Sequence, residues 1–567
     1  MAPGSPSSPA ARYAASRRRE ARAGRSAGED LASFADLYPF GLDDFQVRAC
    51  QALADGKGVL VAAPTGSGKT VVGEFAVHLA LARGQKCFYT TPIKALSNQK
   101  YADLVRRYGQ HKVGLLTGDN SVNGEAPVVV MTTEVLRNML YAGSPTLRGL
   151  GHVVMDEVHY LSDRFRGAVW EEVIIGLPES VSLACLSATV SNAEEFADWL
   201  VTVRGDVEVV VSEHRPVPLW QHVAVGGRLV DLFVDEGTKQ VNPELVRLAR
   251  DDTSRGRGGD KRSARGRQRP RRLRRPDRVE VIDRLAAADL LPAITFIFSR
   301  AGCDAAVLQC LYAGMRLTTP AERDAIRAHA EARCAALPEH DLAVLGYHEW
   351  LAGLERGLAA HHAGMLPTFK EVVEELFVQG LVKAVFATET LSLGINMPAR
   401  TVVLERLSKW NGETHADLTP GEYTQLTGRA GRRGIDVEGH AVVLGQPGLD
   451  PKAVGGLAST RTYPLHSSFR PSYNMAVNLV GQVGRERATA LLESSFAQFQ
   501  ADRAVVGLAR QVRRNEEALD GYLEAMTCEA GDFAEYAALR RAVGDREAEL
   551  ARAGAAQRRA QAASSLQ

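Results

Sequence analysis

The chain has 567 residues, enough for several domains, and its 45% hydrophobic content is that of an ordinary globular protein. No apolar run is long enough to span a membrane and the N-terminus shows no signal-peptide core, while a formal net charge of +1 excludes any inference about partners from bulk charge. Its 7 cysteines include no C-x-x-C pair, which argues against a zinc ribbon or disulfide framework and fits a reducing cytoplasm.

Residues 1–30 form a basic tail rich in Arg, Ser, Ala and Pro, expected to be disordered. From 31 to about 215, apolar strands alternate with amphipathic helices. Gly58–Ala62, Lys86–Thr90, Val128–Met131, His152–Met155 and Val181–Leu186 are predicted strands. Such alternation predicts an α/β fold with a parallel sheet and helices on both faces. Ligands bind such sheets at the carboxyl ends of the strands.

The first strand runs into AAPTGSGKT, Ala62 to Thr70, and a helical stretch follows. Strand, glycine-rich loop and helix together make a phosphate-binding loop. Gly66 and Gly68 let backbone N–H groups converge on phosphate oxygens, with Thr65 and Ser67 between and beside them. Lys69 can reach the β- and γ-phosphates, and the Thr70 hydroxyl can ligate Mg²⁺. VVMDEVHY, Val153 to Tyr160, is an apolar strand closed by two acids. Asp156 is placed to hold Mg²⁺ and Glu157 to polarise an attacking water. A lone Asp-Glu pair is usually a solvated turn; one that closes a buried strand downstream of a phosphate loop seldom is.

A second alternating block covers about 216–460, with predicted strands Ala293–Phe298, Ala384–Thr388, Thr401–Leu404 and His440–Leu444, and no phosphate loop of its own. A basic insert, about 239–278, precedes the first of these strands; between Arg255 and Arg278 its acids are Asp260 and Asp277. It reads equally as a tether for phosphate backbones or as a solvated surface loop. Beyond 460 the chain turns helical, with Leu508, Val512, Leu519 and Leu523 near helical spacing.

One phosphate loop between two sheets implies that the second sheet sends cations toward the γ-phosphate. QLTGRAGRRG, Gln425 to Gly434, supplies them. Arg429 and Arg432 are three apart, so a helix start would put both on one face as arginine fingers.

In this order the motifs closely resemble those of superfamily 2 DExH helicases, specifically the superkiller-type, exosome-associated branch, and within it the actinobacterial HelY group. The resemblance runs from about Leu37 to the C-terminus. It implies two tandem RecA-like domains, at 31–215 and 216–460. The start of a winged-helix region would follow at 461–510 and the first stalk helices at 511–567. LDDFQ, Leu42 to Gln46, then corresponds to the adenine-sensing segment, with Phe45 and Gln46 at the base. Gly394 and Asn396 in ATETLSLGINMPA would face the nucleotide.

The same resemblance implies strand contacts from Pro92, Lys94 and Gln99, from Thr117 and Gly118, from Thr133 and Glu134, from Ser299 and Arg300, and from His362 and Thr388. Thr, Ser and backbone N–H groups satisfy phosphates without reading bases, as a motor requires. Between the last two motifs, Leu404 to Pro420 corresponds to a strand-separating hairpin. Its Trp410 either stacks on a base or packs in a surface turn.

The activity implied is an ATP- and Mg²⁺-dependent helicase moving 3′ to 5′ on single-stranded or tailed RNA, with DNA possible. The alternative is a duplex translocase that does not separate strands. A monomer with RNA-degradation partners and no membrane association is expected. Relatives of this branch are longer and add a helical ratchet, so this stretch alone is expected to hydrolyse ATP but unwind poorly.

Overall fold

The computed structural model describes residues 28–503 except 119, 165, 236–238, 256–274, 393–396, 411–413, 461 and 463, and also 515–516, 518–519, 527–528 and 531–564. Contacts divide the chain into one unit ending at Phe496 and another beginning at Ala497.

The first unit holds two sheets. The first sheet contains β1 (Gly58–Ala62), β2 (Lys86–Thr91), β3 (Val113–Leu116), β4 (Ser121–Val122), β5 (Val128–Thr132), β6 (Leu150–Met155), β7 (Ser182–Ser187) and β8 (Val207–Val211). Their order is β4-β3-β5-β2-β6-β7-β1-β8, parallel throughout except for β4 against β3. The central strands are buried on both faces, which is why they read as continuous apolar runs.

The second sheet contains β9 (Leu219–Val225), β10 (Arg228–Asp231), β11 (Ala293–Phe296), β12 (Leu358–His361), β13 (Ala384–Ala387), β14 (Thr401–Leu404) and, beyond the small strands β15 (Ser408–Trp410) and β16 (His415–Asp417), β17 (Gly439–Leu444). Its order is β10-β9-β17-β14-β11-β13-β12 and only the β10–β9 pair is antiparallel. We call the two sheets with their helices lobe 1 and lobe 2. Both are RecA-like α/β layers.

The strands read from the sequence are present, several one or two residues longer or shorter. β3, β8, β9 and β12 were not anticipated, because short runs such as VGLL and LAAH carry little period of their own. The insert also begins later than expected. Pro243–Arg255 is a helix whose Leu245 is buried in the lobe 2 core, with Leu248 and Ala249 against it. Those three apolar positions share one helical face. Residues 256–274, the most basic part, lie outside the described residues. At its end, Arg275 and Arg278 pair with the buried carboxylate of Glu405.

After lobe 2 the chain returns to lobe 1. Asn192 holds the Leu465 backbone through both amide atoms, at 2.6 and 2.8 Å. Helices Tyr473–Val483 and Arg485–Glu493 follow. Phe496 is fully buried against Phe196 and Trp199, and the Trp199 indole N–H donates to Ser494 O at 2.8 Å. The second unit contains a 32-residue helix, Phe533–Ser564, with Tyr536, Leu539, Val543 and Leu550 exposed. Leu508, Val512 and Leu523 lie outside the described residues. Among the described residues no helix is long and apolar enough to cross a membrane.

Candidate active site

The phosphate loop leaves β1 at Ala62 and enters the helix Thr70–Ala82. Gly66 and Gly68 have φ of +82° and +91°, the left-handed region that the turn requires. Lys69 lies folded over the loop and donates to the Ala63 carbonyl at 2.8 Å. Burial pulls its pKa down, while Glu157 and Asp156 push it back up. The Ser67 hydroxyl is buried without a hydrogen-bond partner among the described residues. A cradle of N–H groups, a buried ammonium and an orphan hydroxyl suit a polyphosphate.

Asp156 follows β6 directly. Its carboxylate accepts from the Tyr89 hydroxyl and from the Glu157 N–H, both at 3.0 Å. Burial first, and the neighbouring Glu157 second, push its pKa up. Glu157 adopts a left-handed conformation, φ 53° and ψ 46°, which is strained for a side chain of this kind and re-aims it out of the strand. Two crowded carboxylates beside Lys69, with the Thr70 hydroxyl following it in the loop, supply hard oxygens of the kind that fit Mg²⁺. Among the described residues no three ligating side chains cluster, so phosphate oxygens and waters would complete the shell. Such an ion neutralises charge that develops on the transferred phosphoryl group.

His159 sits one turn on. Its Nδ1 accepts the Ala188 N–H at 3.2 Å and lies 3.4 Å from Glu157 Oε2. Burial and Lys69 drive its pKa down to about 3. The ring is therefore neutral, with its proton on Nε2.

Lobe 2 meets this surface through the motif that ends at Gly434. The side chains of Gln425 and Tyr160 are hydrogen-bonded across the lobes. A Cβ on Gly428 would lie 3.1 Å from Thr65 Cβ, so Gly428 leaves room for the Thr65 side chain here. Arg429 is buried, its pKa lowered by burial and held up by Glu157 and Tyr160. The expected helix start is not formed. The helix Pro420–Thr427 ends before Arg429, and Gly431 at φ +83° breaks any continuation. The two arginines consequently do not share a helical face. Arg432 turns to its own lobe and grips the Asp436 carboxylate through Nε and Nη2, both at 2.8 Å. Arg433, not singled out from the sequence, crosses instead. It donates to Ser67 O at 2.7 Å and to Asp43 at 2.9 Å.

Gln46 is buried at the back of the loop. Its Oε1 accepts the Asp43 N–H at 2.8 Å and its Nε2 donates to Gly68 O at 3.0 Å. Phe45 packs on the lobe 1 core beside it. Gly394 and Asn396 lie outside the described residues.

A groove of about 550 Å³ runs between the lobes on another face. Pro92, Lys94, Gly118, Glu134 and His362 line it, as the sequence predicted, together with Asn138, Arg166 and Lys370, which it did not single out. Asn138 lies one turn beyond Glu134 on the same helix, a spacing from which it could have been found. Arg166 and Lys370 come from separate elements and carried no local signal. His362 is fixed by both ring nitrogens, to Asp304 at 2.9 Å and from the Gly364 N–H at 3.2 Å.

Other expected contacts stand apart from the groove lining. Thr133 is fully buried and donates to Thr91 O, and Ser299 caps the helix that Arg300 begins. Thr388 shares a hydrogen bond with Thr390, whose side chain does line the groove. Gln99, Thr117 and Arg300 are not among the lining residues. Trp410 lies in the β15–β16 hairpin, 56% exposed and edge-on to His415. Lys409 beneath it pairs with Glu389 and Glu422.

Two RecA-like lobes, one phosphate loop, a DEVH strand end and a cationic motif facing it are the combination that characterises the superfamily 2 helicases. A family model for DEAD/DEAH box helicases matches residues 43–196, and one for the helicase conserved C-terminal domain matches residues 342–434. The chain is 64% identical over 522 residues to the probable helicase HelY of Mycobacterium tuberculosis, covering 91% of this chain and 58% of that protein. It is 38% identical over 493 residues to the human exosome RNA helicase MTR4, covering 85% of this chain and 46% of that protein. With the chloroplastic DExH15 RNA helicase of Arabidopsis thaliana it shares 39% over 560 residues, 89% of this chain and 47% of that protein. The chain thus spans roughly half the length of these relatives. It belongs to the superfamily 2 DExH helicases, in the superkiller-type branch.

Proposed function

We propose that the chain is the motor of an ATP-dependent helicase that moves 3′ to 5′ on a single strand, with RNA the favoured substrate and DNA possible. One observation carries this reading: the cleft joining Lys69, Asp156 and Glu157 to Arg429 and Gln425 lies between the same two lobes that line the groove. Closing the lobes on ATP then moves both groove walls. Lys69 and the loop N–H groups hold the phosphates, with Thr70 and Asp156 on Mg²⁺. Glu157 positions the water, and Arg429 and Arg432 offset transition-state charge. Arg432 must first exchange Asp436 for phosphate.

The groove cations Lys94, Arg166 and Lys370 suit a phosphate backbone, and Trp410 at the exposed hairpin suits base stacking. The names of the MTR4 and DExH15 relatives favour RNA, and the former favours RNA-degradation partners. The reading includes a monomer in a reducing cytoplasm; Cys50, Cys87, Cys185, Cys303, Cys310 and Cys334 are buried and unpaired among the described residues. The test compares ATPase stimulation by single-stranded RNA, single-stranded DNA and duplex, with unwinding of 3′- and 5′-tailed duplexes. Stimulation by blunt duplex alone would favour a translocase that leaves strands paired.

A further inference from the structure

Arg433 takes no part in the phosphate chemistry proposed above, yet it joins lobe 2 to the back of the phosphate loop. Its partner Asp43 is the N-cap of the helix Asp44–Ala54 and forms a reciprocal capping box with Gln46. Gln46 in turn donates to Gly68 O, and Arg433 donates to Ser67 O next to it. The contacts close a ring through Asp43, Gln46, Gly68, Ser67 and Arg433. They converge on Gly68: a Cβ there would lie 2.8 Å from Gln46 Nε2 and 3.1 Å from Arg433 Nη1.

A primary amide has two N–H donors and two acceptor sites. The internal contacts of Gln46 use one of each, leaving one of each for the N6 and N7 edge of adenine. Where these point depends on the capping box staying fixed against the loop. A guanidinium can hold a carboxylate and a carbonyl at once in one planar fork, which an ammonium does less well. Arg433 supplies that fork from lobe 2, so the grip exists only while the lobes are together.

We infer that Arg433 is a specificity-positioning residue, which locks the Asp43–Gln46 base reader onto the phosphate loop as the lobes close. Adenine selection is thereby tied to closure. This rests on Gln46 reading the base, and the experiment separates the two ideas. ATPase and GTPase kcat/KM are measured on the full chain with saturating single-stranded RNA, for wild type, Gln46→Ala, Arg433→Ala, Arg433→Lys, Asp43→Asn and the Arg433→Ala/Asp43→Asn double variant. Asn caps a helix as well as Asp does, so Asp43→Asn removes the charge and keeps the helix start.

Arg433→Ala is expected to reduce the ATP-to-GTP ratio by about two- to fivefold, the scale of a half-exposed charged pair. Asp43→Asn should do likewise, Arg433→Lys should rescue only in part, and the double variant should be no worse than Arg433→Ala. Strand binding without nucleotide should persist in all of them. If Gln46→Ala shifts the ratio but Arg433→Ala does not, the inference fails alone. If Gln46→Ala leaves the ratio unchanged, the base reader fails and the inference with it. Equal losses for ATP and GTP in Arg433→Ala would make Arg433 a plain bridge and overturn it.

Discussion

The Ala188 N–H donates to His159 Nδ1 across 3.2 Å, joining the loop after β7 to the turn after β6. Ala188 lies within the Ser-Ala-Thr segment, and His159 follows Glu157 by two residues. The same ring nitrogen lies 3.4 Å from Glu157 Oε2, so a shift of Glu157 is expected to reach the Ser187–Thr189 loop through this hydrogen bond. His159→Ala should deprive the half-buried Ala188 N–H of this partner, costing about 1 kcal/mol of stability. It should lower the ratio of RNA-stimulated to basal ATPase more than the basal rate itself. An unchanged ratio would remove this bond from the coupling route.

Acid should destabilise lobe 1 through two buried imidazoles. His159 and His152 are both held neutral by burial, with pKa values moved from 6.5 to about 3 and about 4. Between those values and 6.5 the unfolded chain binds more protons than the folded one, so stability falls as pH falls from 6.5 toward 4. Thermal melts across this window should show the loss, and His152→Gln should flatten part of it. A wild-type melting temperature constant from pH 7 to pH 4.5 would contradict the assignment.

The two sides of the cleft should fail differently. Glu157→Gln should still bind ATP while turnover drops by roughly two to four powers of ten. Arg429→Ala should lower kcat by about three powers of ten or more, the scale of an arginine finger, with strand binding retained in the absence of nucleotide. Turnover of ATP by Glu157→Gln at the wild-type rate would show that another group positions the water.

Groove cations should reveal themselves in salt. If Arg166 and Lys370 each neutralise one phosphate, replacing either with Ala should reduce the slope of log affinity against log salt by about 0.7 for a single strand. Affinity should fall similarly for every sequence tested. A lowered affinity with an unaltered slope would mean that the residue shapes the groove without touching the backbone.

Much of this protein was determined locally, and so stood in the sequence. The phosphate loop needs glycines at fixed positions, and the acids need a buried strand before them; both are properties of eight or nine consecutive residues. Buried parallel strands such as β1 and β14 declare themselves as apolar runs, so the α/β class follows. Proximity between distant segments was a different matter. Nothing adjacent to Arg432 or Arg433 says that the first turns home to Asp436 while the second crosses to Ser67 and Asp43. That choice is made by Gly431, whose φ of +83° keeps the helix from resuming before the two arginines, and by a partner 390 positions away in the chain. Likewise Arg166 and Lys370 line one groove only when the two lobes meet. Charge and size are written residue by residue, whereas which charges meet is decided by chain crossings that no short stretch encodes.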